Sequence, residues 1–427
     1  MERRELLAIL GGGGAAAIGG GAVYSTLIRP DGSPADPPSV DYASRRDDLD
    51  NGAGASGDSD PSEADDAMAE IDEDDGAEAE ANDDTDEDEQ TNGDTRAGDF
   101  LLGVSPRRGD FRDLDPFETW LEERHAIIGL FLDMGQTDEE IEQLVHGSFE
   151  SAWDRGAVPH IFWQPFFPDR ESTSDDILQE IHEGTWDAYI EKWATEIADW
   201  ATDHNGADRR LYLNLAPEFN GDWSPWSPAV GDDTEDDFVE MWQHVHDIVT
   251  DAGLEADHVQ WVWTLDDTTR GVDREACYPG DDDVDWLAMH GYNWTNWGSW
   301  SSAPDVYGRT LDILERIAEK PMGITEFGCS SETQDGGNDP ERKDEWIADA
   351  YEYVEERDVK MTLWFNIDRE TDWSVFDADP GLDTVDIEEE TYEVYPAYHA
   401  AVTGNAGIGS HPEHPRVLTD EEFWGEF

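Results

Sequence analysis

From Phe100 onward the chain alternates between two hydrophobic periodicities. Short runs dense in apolar and β-branched residues recur eight times: FLLGVSP from 100, AIIGLFLDM from 126, AVPHIFWQP from 157, RLYLNLAPEF from 210, VQWVWTLDD from 259, WLAMHGYNW from 286, PMGITEFG from 321 and KMTLWFNID from 360. Runs of this length and composition read as strands buried on both faces. Between them lie stretches with an apolar residue every three to four positions, such as TDEEIEQLVHGSFESAWDRG, WDAYIEKWATEIADWATDHNG, EDDFVEMWQHVHDIVTDAGL, VYGRTLDILERIAEK and ERKDEWIADAYEYVEERD. Several open on acidic residues and stop at Gly or Asn, as helices do. Strand and helix in strict alternation predict a parallel α/β fold, and eight such units in about 320 residues predict a single (β/α)8 TIM barrel. A doubly wound sheet is the alternative. Against it, GVSPRRGD after the first strand lacks the glycine spacing of a dinucleotide or phosphate loop.

The pattern is absent before residue 99. Residues 1–30 carry Arg3 and Arg4 and then a Gly/Ala-rich apolar run, LLAILGGGGAAAIGGGAV, which reads as an export signal of the twin-arginine kind or an N-terminal anchor. Residues 31–98 hold 25 Asp and Glu against three Arg and almost no large apolar side chain. Such a stretch cannot bury a core, and its charges repel one another, so a disordered acidic linker is expected. That leaves residues 99–427 for the barrel, and an extracellular or cell-surface location for the protein.

Charge then narrows the partners. The net charge is −79, with 105 acidic residues and four lysines, and the acids extend through the barrel region as well. A surface this negative disfavours nucleic acid and anionic membranes. It suits a salt-rich medium, where screening over about 3 Å at molar salt quiets the repulsion. Membrane contact is expected only through the N-terminal segment, and the barrel is expected to be a monomer. The 12 histidines are scattered and the two cysteines, Cys277 and Cys329, are far apart in sequence, so no metal set and no cofactor are expected. The run Asp281, Asp282, Asp283 is a candidate calcium site by its charge, and the family resemblance given below implies a loop-shaping role for it instead.

Two of the strand runs end in a glutamate, Glu218 in LAPEF and Glu326 in ITEFG. Barrels keep their active sites at the C-terminal strand ends. A pair of carboxylates there is what glycoside hydrolysis uses, about 5 to 5.5 Å apart for retention of configuration and about 9 Å apart for inversion. Glu218 precedes a tryptophan-rich loop, whose apolar surface favours a protonated carboxyl and hence a general acid. Glu326 precedes Gly328, which lets the chain turn and expose a nucleophile. His160, Trp163 and Gln164 close the third strand as candidate contacts for sugar hydroxyls, Asn220, two residues after the acid, is expected to orient the loop or bond a hydroxyl, and Asp266 and Asp267, which end the fifth strand, are further candidates. Trp223, Trp226, Trp294, Trp297, Trp300 and Trp373 fall in loops on the same side and are candidate sugar-stacking platforms, whereas Trp186, Trp193 and Trp242 sit on helix faces as packing.

At these residues the chain resembles glycoside hydrolase family 26, within a clan of (β/α)8 retaining glycosidases that includes β-mannanases, β-1,3-xylanases and some mixed-linkage β-glucanases. PEFNGDWSPWS looks like the family's acid/base segment, YPGDDDVDWLAMHGYNW is similar to its segment leading into the sixth strand, and KPMGITEFG resembles its nucleophile strand. The similarity spans roughly residues 99 to 403. The resemblance implies that Glu218 is acid/base and Glu326 nucleophile, that Tyr292 hydrogen-bonds the nucleophile, and that Trp364 stacks the sugar at the cleavage point. One departure bears on substrate more than on chemistry: family members often carry His before the acid/base, and here Pro217 stands there. The implied activity is endo-cleavage of a β-linked polysaccharide, with β-1,4-mannan first, β-1,3-xylan or β-glucan as alternatives, and a non-catalytic carbohydrate-binding protein as the reading from another class.

Overall fold

The computed structural model describes residues 99–109, 111–167, 173–202, 208–267, 271–296, 299–403, 407–410 and 417–427. The expected export segment and acidic linker lie outside the described residues.

Each of the eight apolar runs forms one strand: β1 Phe100–Ser105, β2 Ile127–Leu132, β3 Val158–Trp163, β4 Leu211–Leu215, β5 Val259–Asp266, β6 Trp286–Asn293, β7 Met322–Cys329 and β8 Met361–Phe365. All pair in parallel in sequence order, and β8 closes onto β1 from Leu101↔Met361 to Ser105↔Phe365, so the sheet is a barrel without edges. The expected TIM barrel is therefore present. Alternation along each strand sorts residues into two layers. Leu101, Val158, Phe162, Tyr212, Val262 and Leu363 fill the interior. Leu102, Ile161, Trp163, Leu213, Phe327 and Trp364 belong to the layer between strands and helices. Both faces being buried is what removes the polar half of the usual strand pattern.

The helices are α1 Leu114–Leu121, α2 Asp138–Gln143, α3 Glu150–Asp154, α4 Ile177–His182, α5 Asp187–Thr202, α6 Glu235–Asp251, α7 Ala303–Ile317 and α8 Pro340–Glu356. Thr137, Thr234 and Ser302 each begin a capping box, with the side chain three residues on returning to the cap's backbone N–H. The stretch expected as one helix from 137 to 156 is interrupted by a π turn at Leu144–Phe149. Beyond β8 an acidic antiparallel hairpin, β9 Asp383–Ile387 with β10 Glu390–Val394, packs through Tyr392 on Phe376 at 4.9 Å. Then come α9 Pro396–Thr403, a two-residue strand β11 Gly407–Ile408 beside β1, and α10 Asp420–Trp424.

This last segment closes one end of the barrel. Leu418 and Phe423 enter the interior layer. Fully buried Arg210, just before β4, donates to the carbonyls of Leu418 and Thr419, pairs with Asp420 and lies over the Phe423 ring. The Tyr212 hydroxyl donates to the Phe423 carbonyl. With the N-terminal strand ends plugged in this way, access to the interior is from the C-terminal ends. Cys277 and Cys329 are separate, buried free thiols. Among the described residues no helix is long and apolar enough to cross a membrane.

Candidate active site

Two departures from regular strand geometry bring the carboxylates together. Pairing of β6 with β7 slips between Met289 and His290, and that of β7 with β8 slips between Ile324 and Phe327, which places Glu326 directly opposite His290. Bulges re-aim side chains in this way at barrel rims. On β4 the chain leaves the ladder through Ala216 at φ 48° and Glu218 at φ 56°, left-handed values that a non-glycine residue adopts only when its surroundings hold it there. The Glu218 N–H donates to the Thr264 carbonyl on β5, and the Trp226 indole N–H donates to the Pro217 carbonyl. The strained turn is thus fixed from both sides.

Glu218 and Glu326 are both nearly inaccessible, at 3% and 4% exposure. His290 stands between them, its Nδ1 2.9 Å from Glu218 Oε1 and 3.5 Å from Glu326 Oε1, and its Nε2 3.1 Å from Thr325 Oγ1. One oxygen of each glutamate and the imidazole nitrogen all lie within 4.8 Å of one another. The Trp223 indole N–H donates to Glu218 Oε2 at 2.8 Å, and the Tyr292 hydroxyl donates to Glu326 Oε2 at 2.5 Å. Each carboxylate therefore has its own aromatic donor and a share of one imidazole. Two carboxylates and a histidine are also a donor set that suits a divalent transition metal. The same groups, held by hydrogen bonds at this spacing, can also supply a proton donor and a nucleophile to one atom placed between them.

The loop after Glu218 is shaped by Asn220 and Gly221. The Asn220 amide donates to the Asp266 carbonyl at 3.0 Å and accepts from the Asp266 N–H at 2.8 Å, so it ties this loop to the end of β5. Of the two roles expected for it, orienting the loop or bonding a sugar hydroxyl, these backbone hydrogen bonds fit the first. A Cβ at Gly221 would lie 2.4 Å from the Trp223 ring, so only glycine lets that indole fold back onto the acid.

Three further expectations are corrected. Trp364 does not line the mouth: it is fully buried on the helix side of β8, its N–H on the Trp373 carbonyl and its ring against Phe327 and Tyr398 of α9. The ring beside Tyr292 is Trp373, itself buried, 4.9 Å from Tyr292 and 5.7 Å from Trp294, with its N–H on Glu370. Trp163 likewise faces outward and lines a small apolar cavity with Phe149, Ile190 and Trp193. His160 does point inward, but below the mouth and without exposure, beside Phe162, Tyr212 and the Asn214 amide. Burial, with the neighbouring His290 adding to it, pushes the His160 imidazole well below its usual range and keeps it neutral.

Trp294 does sit at the mouth, edge-on to Trp373, with its indole N–H on Glu332 at 2.7 Å. Trp226 is fully buried, Trp297 lies outside the described residues, and Trp300 is stacked under the Arg342 guanidinium at 3.9 Å. Asp283 and Asp281 accept from Trp242, Gln243 and Tyr278, consistent with the loop-shaping expected of that acidic run. The residue missed altogether is His290. The signal for it was present, since His290 and Tyr292 are two apart on one strand and so share a face.

An eight-stranded barrel carrying two buried glutamates on β4 and β7 resembles the glycoside hydrolases. Among them the chain resembles family 26, the family indicated by its own motifs. No family model matches the chain. Endoglucanase H of Acetivibrio thermocellus is 29% identical over 279 residues, which are 61% of this chain and 28% of that protein. The chain thus spans under a third of that relative's length. The catalytic domain of the Bacillus sp. JAMB-750 family 26 endo-β-1,4-mannanase superposes with a TM-score of 0.54 at 15% identity, covering 73% of this chain and 87% of that one. A Bacillus subtilis mannanase gives 0.47 at 18% identity, covering 66% and 82%.

Proposed function

We propose that this chain is an exported, endo-acting, retaining glycoside hydrolase that cleaves a β-linked polysaccharide, β-1,4-mannan being the first candidate. The observation that carries the reading is the pair of buried glutamates, one oxygen of each lying within 4.8 Å of the other's and of His290, an approach that favours retention over inversion. In the first step a Glu326 oxygen bonds to the anomeric carbon while the glycosidic C–O bond breaks and Glu218 gives its proton to the departing oxygen. In the second, Glu218 takes a proton from water, the water oxygen bonds to the anomeric carbon, and Glu326 leaves as carboxylate. His290 holds both side chains in register, and Tyr292 donates to Glu326 whenever it carries charge.

A β-glucan is the second substrate reading, favoured by the likeness to Endoglucanase H. The test is reducing-sugar release from galactomannan, β-1,3-xylan and mixed-linkage β-glucan in molar KCl by wild type and Glu326→Ala. Release from one substrate, reduced more than about a thousandfold in a variant that folds normally, is the expected result. Undiminished release by the variant refutes the mechanism, and no release by folded wild type turns the reading to carbohydrate binding.

A further inference from the structure

All three residues that close β3 bury a polar side-chain atom without a partner among the described residues, but only Gln164 leaves both a donor and an acceptor unmatched. Trp163 faces the helices and His160 lies beneath the mouth, whereas Gln164 continues the inward face of His160 and Phe162. Its backbone N–H extends the ladder to the Leu132 carbonyl at 2.9 Å. Pairing of Trp163 with Leu215 sets Gln164 level with Ala216, two residues before Glu218. The Phe162 ring below it is 5.6 Å from the His290 ring, so this face leads up to the catalytic pair. Gln164 has no exposure, yet neither its Oε1 nor its Nε2 has a hydrogen-bond partner among the described residues.

A buried amide with both ends unmatched costs stability that an apolar residue of the same shape would not. Two positions down, level with Phe162 on the neighbouring β2, Phe131 stacks on Phe162 at 4.4 Å and meets Phe365 edge-on at 6.2 Å, but remains partly open. An unmatched donor and acceptor above a partly open aromatic ring is the complement of a pyranose, whose rim carries adjacent hydroxyls and whose faces carry C–H groups.

We infer that Gln164 reads two neighbouring free hydroxyls of the sugar unit held beside the catalytic glutamates, with Phe131 covering that unit's apolar side. The inference rests on the proposed glycosidase activity and adds a requirement to it: the unit seated there is neutral and unsubstituted at both hydroxyls. One hydroxyl accepts from Nε2 and the other donates to Oε1.

The test is Gln164→Met, which keeps the length of the side chain and removes both polar ends, measured beside wild type on whichever polysaccharide wild type cleaves. The expected result is a loss of about 10- to 100-fold in kcat/KM, the worth of two hydrogen bonds to neutral groups, with a midpoint of thermal unfolding equal to or above that of wild type. A kcat/KM within threefold of wild type overturns the inference while leaving the glycosidase reading intact. A lowered unfolding midpoint also overturns it, because the amide then has a structural partner. If wild type cleaves none of the polysaccharides, the glycosidase reading fails first and this one falls with it.

Discussion

Removing one oxygen atom from Tyr292 tests how the two carboxylates divide the work. In Tyr292→Phe the ring should stay in place, since Trp373 at 4.9 Å and Phe365 at 5.8 Å pack its sides and are untouched. What disappears is a 2.5 Å hydrogen bond to Glu326 Oε2 between two groups with 7% and 4% exposure. Hydrogen bonds to a charged partner contribute about 1.5–3 kcal/mol, which corresponds to about 10- to 150-fold in rate. The loss should fall unequally on the two steps. Forming the glycosyl enzyme discharges Glu326, whereas breaking it restores the carboxylate that Tyr292 stabilises. With an aryl glycoside whose leaving group needs no acid, the variant should therefore release one equivalent of phenol in a burst and then turn over about 10- to 150-fold more slowly than wild type. Intact-mass measurement during the slow phase should find the glycosyl adduct. A decline of less than about threefold, or slow turnover with neither burst nor adduct, would refute the assignment of Tyr292 to Glu326 as leaving carboxylate.

Glu218→Gln should lose about 10²- to 10⁴-fold on polysaccharide but much less in the first step with the same activated aryl glycoside, because only a poor leaving group needs the proton; equal losses on both substrates would remove Glu218 from the acid role. His160 is held neutral when folded and takes up a proton when unfolded, so below its unfolded pKa of about 6.5 the unfolded state binds the extra proton and stability falls as pH drops, by up to about 1.4 kcal/mol per unit from this group. Denaturant titrations at pH 7.5 and 5.5 should give a smaller difference for His160→Gln than for wild type, and an unchanged difference would contradict the burial argument. The charge of −79 predicts that lowering KCl from 2 M to 0.1 M, which lengthens screening to about 10 Å, lowers the unfolding midpoint steeply; a midpoint independent of salt would show that the acids are not a salt adaptation.

The barrel was legible because its strands are buried on both faces and its helices on one, so two hydrophobic periods alternate without overlap. The hairpin β9–β10 was not, because its residues alternate acid with Thr, Val, Tyr or Ile and are largely exposed, a pattern that reads as loop in so acidic a chain. The two glutamates proposed as catalytic were legible from their place at strand ends. Which neighbouring rings face them was not, since facing depends on strand parity and on bulges. Trp364 and Trp373 make the point: the first ends the eighth run and is turned to the helices, whereas the second, in the loop that follows, packs beside Tyr292. Parity alone would have excluded Trp163, which stands one position off the inward face of His160 and Phe162.

The same parity explains why a chain with 105 acids can be selective about two of them. An exposed carboxylate in this protein is screened by salt and surrounded by its own kind, and nothing distinguishes it chemically. Glu218 and Glu326 differ because the slipped β6–β7 register and the left-handed turn after β4 deliver them into a space with almost no solvent, where each meets one indole or phenol donor and both meet His290. Shifting either strand by one residue would exchange Glu326 for Phe327 or Thr325, sending the carboxylate to the helix layer or leaving His290 opposite a hydroxyl. The two backbone irregularities therefore do as much for the proposed chemistry as the identity of the side chains they aim.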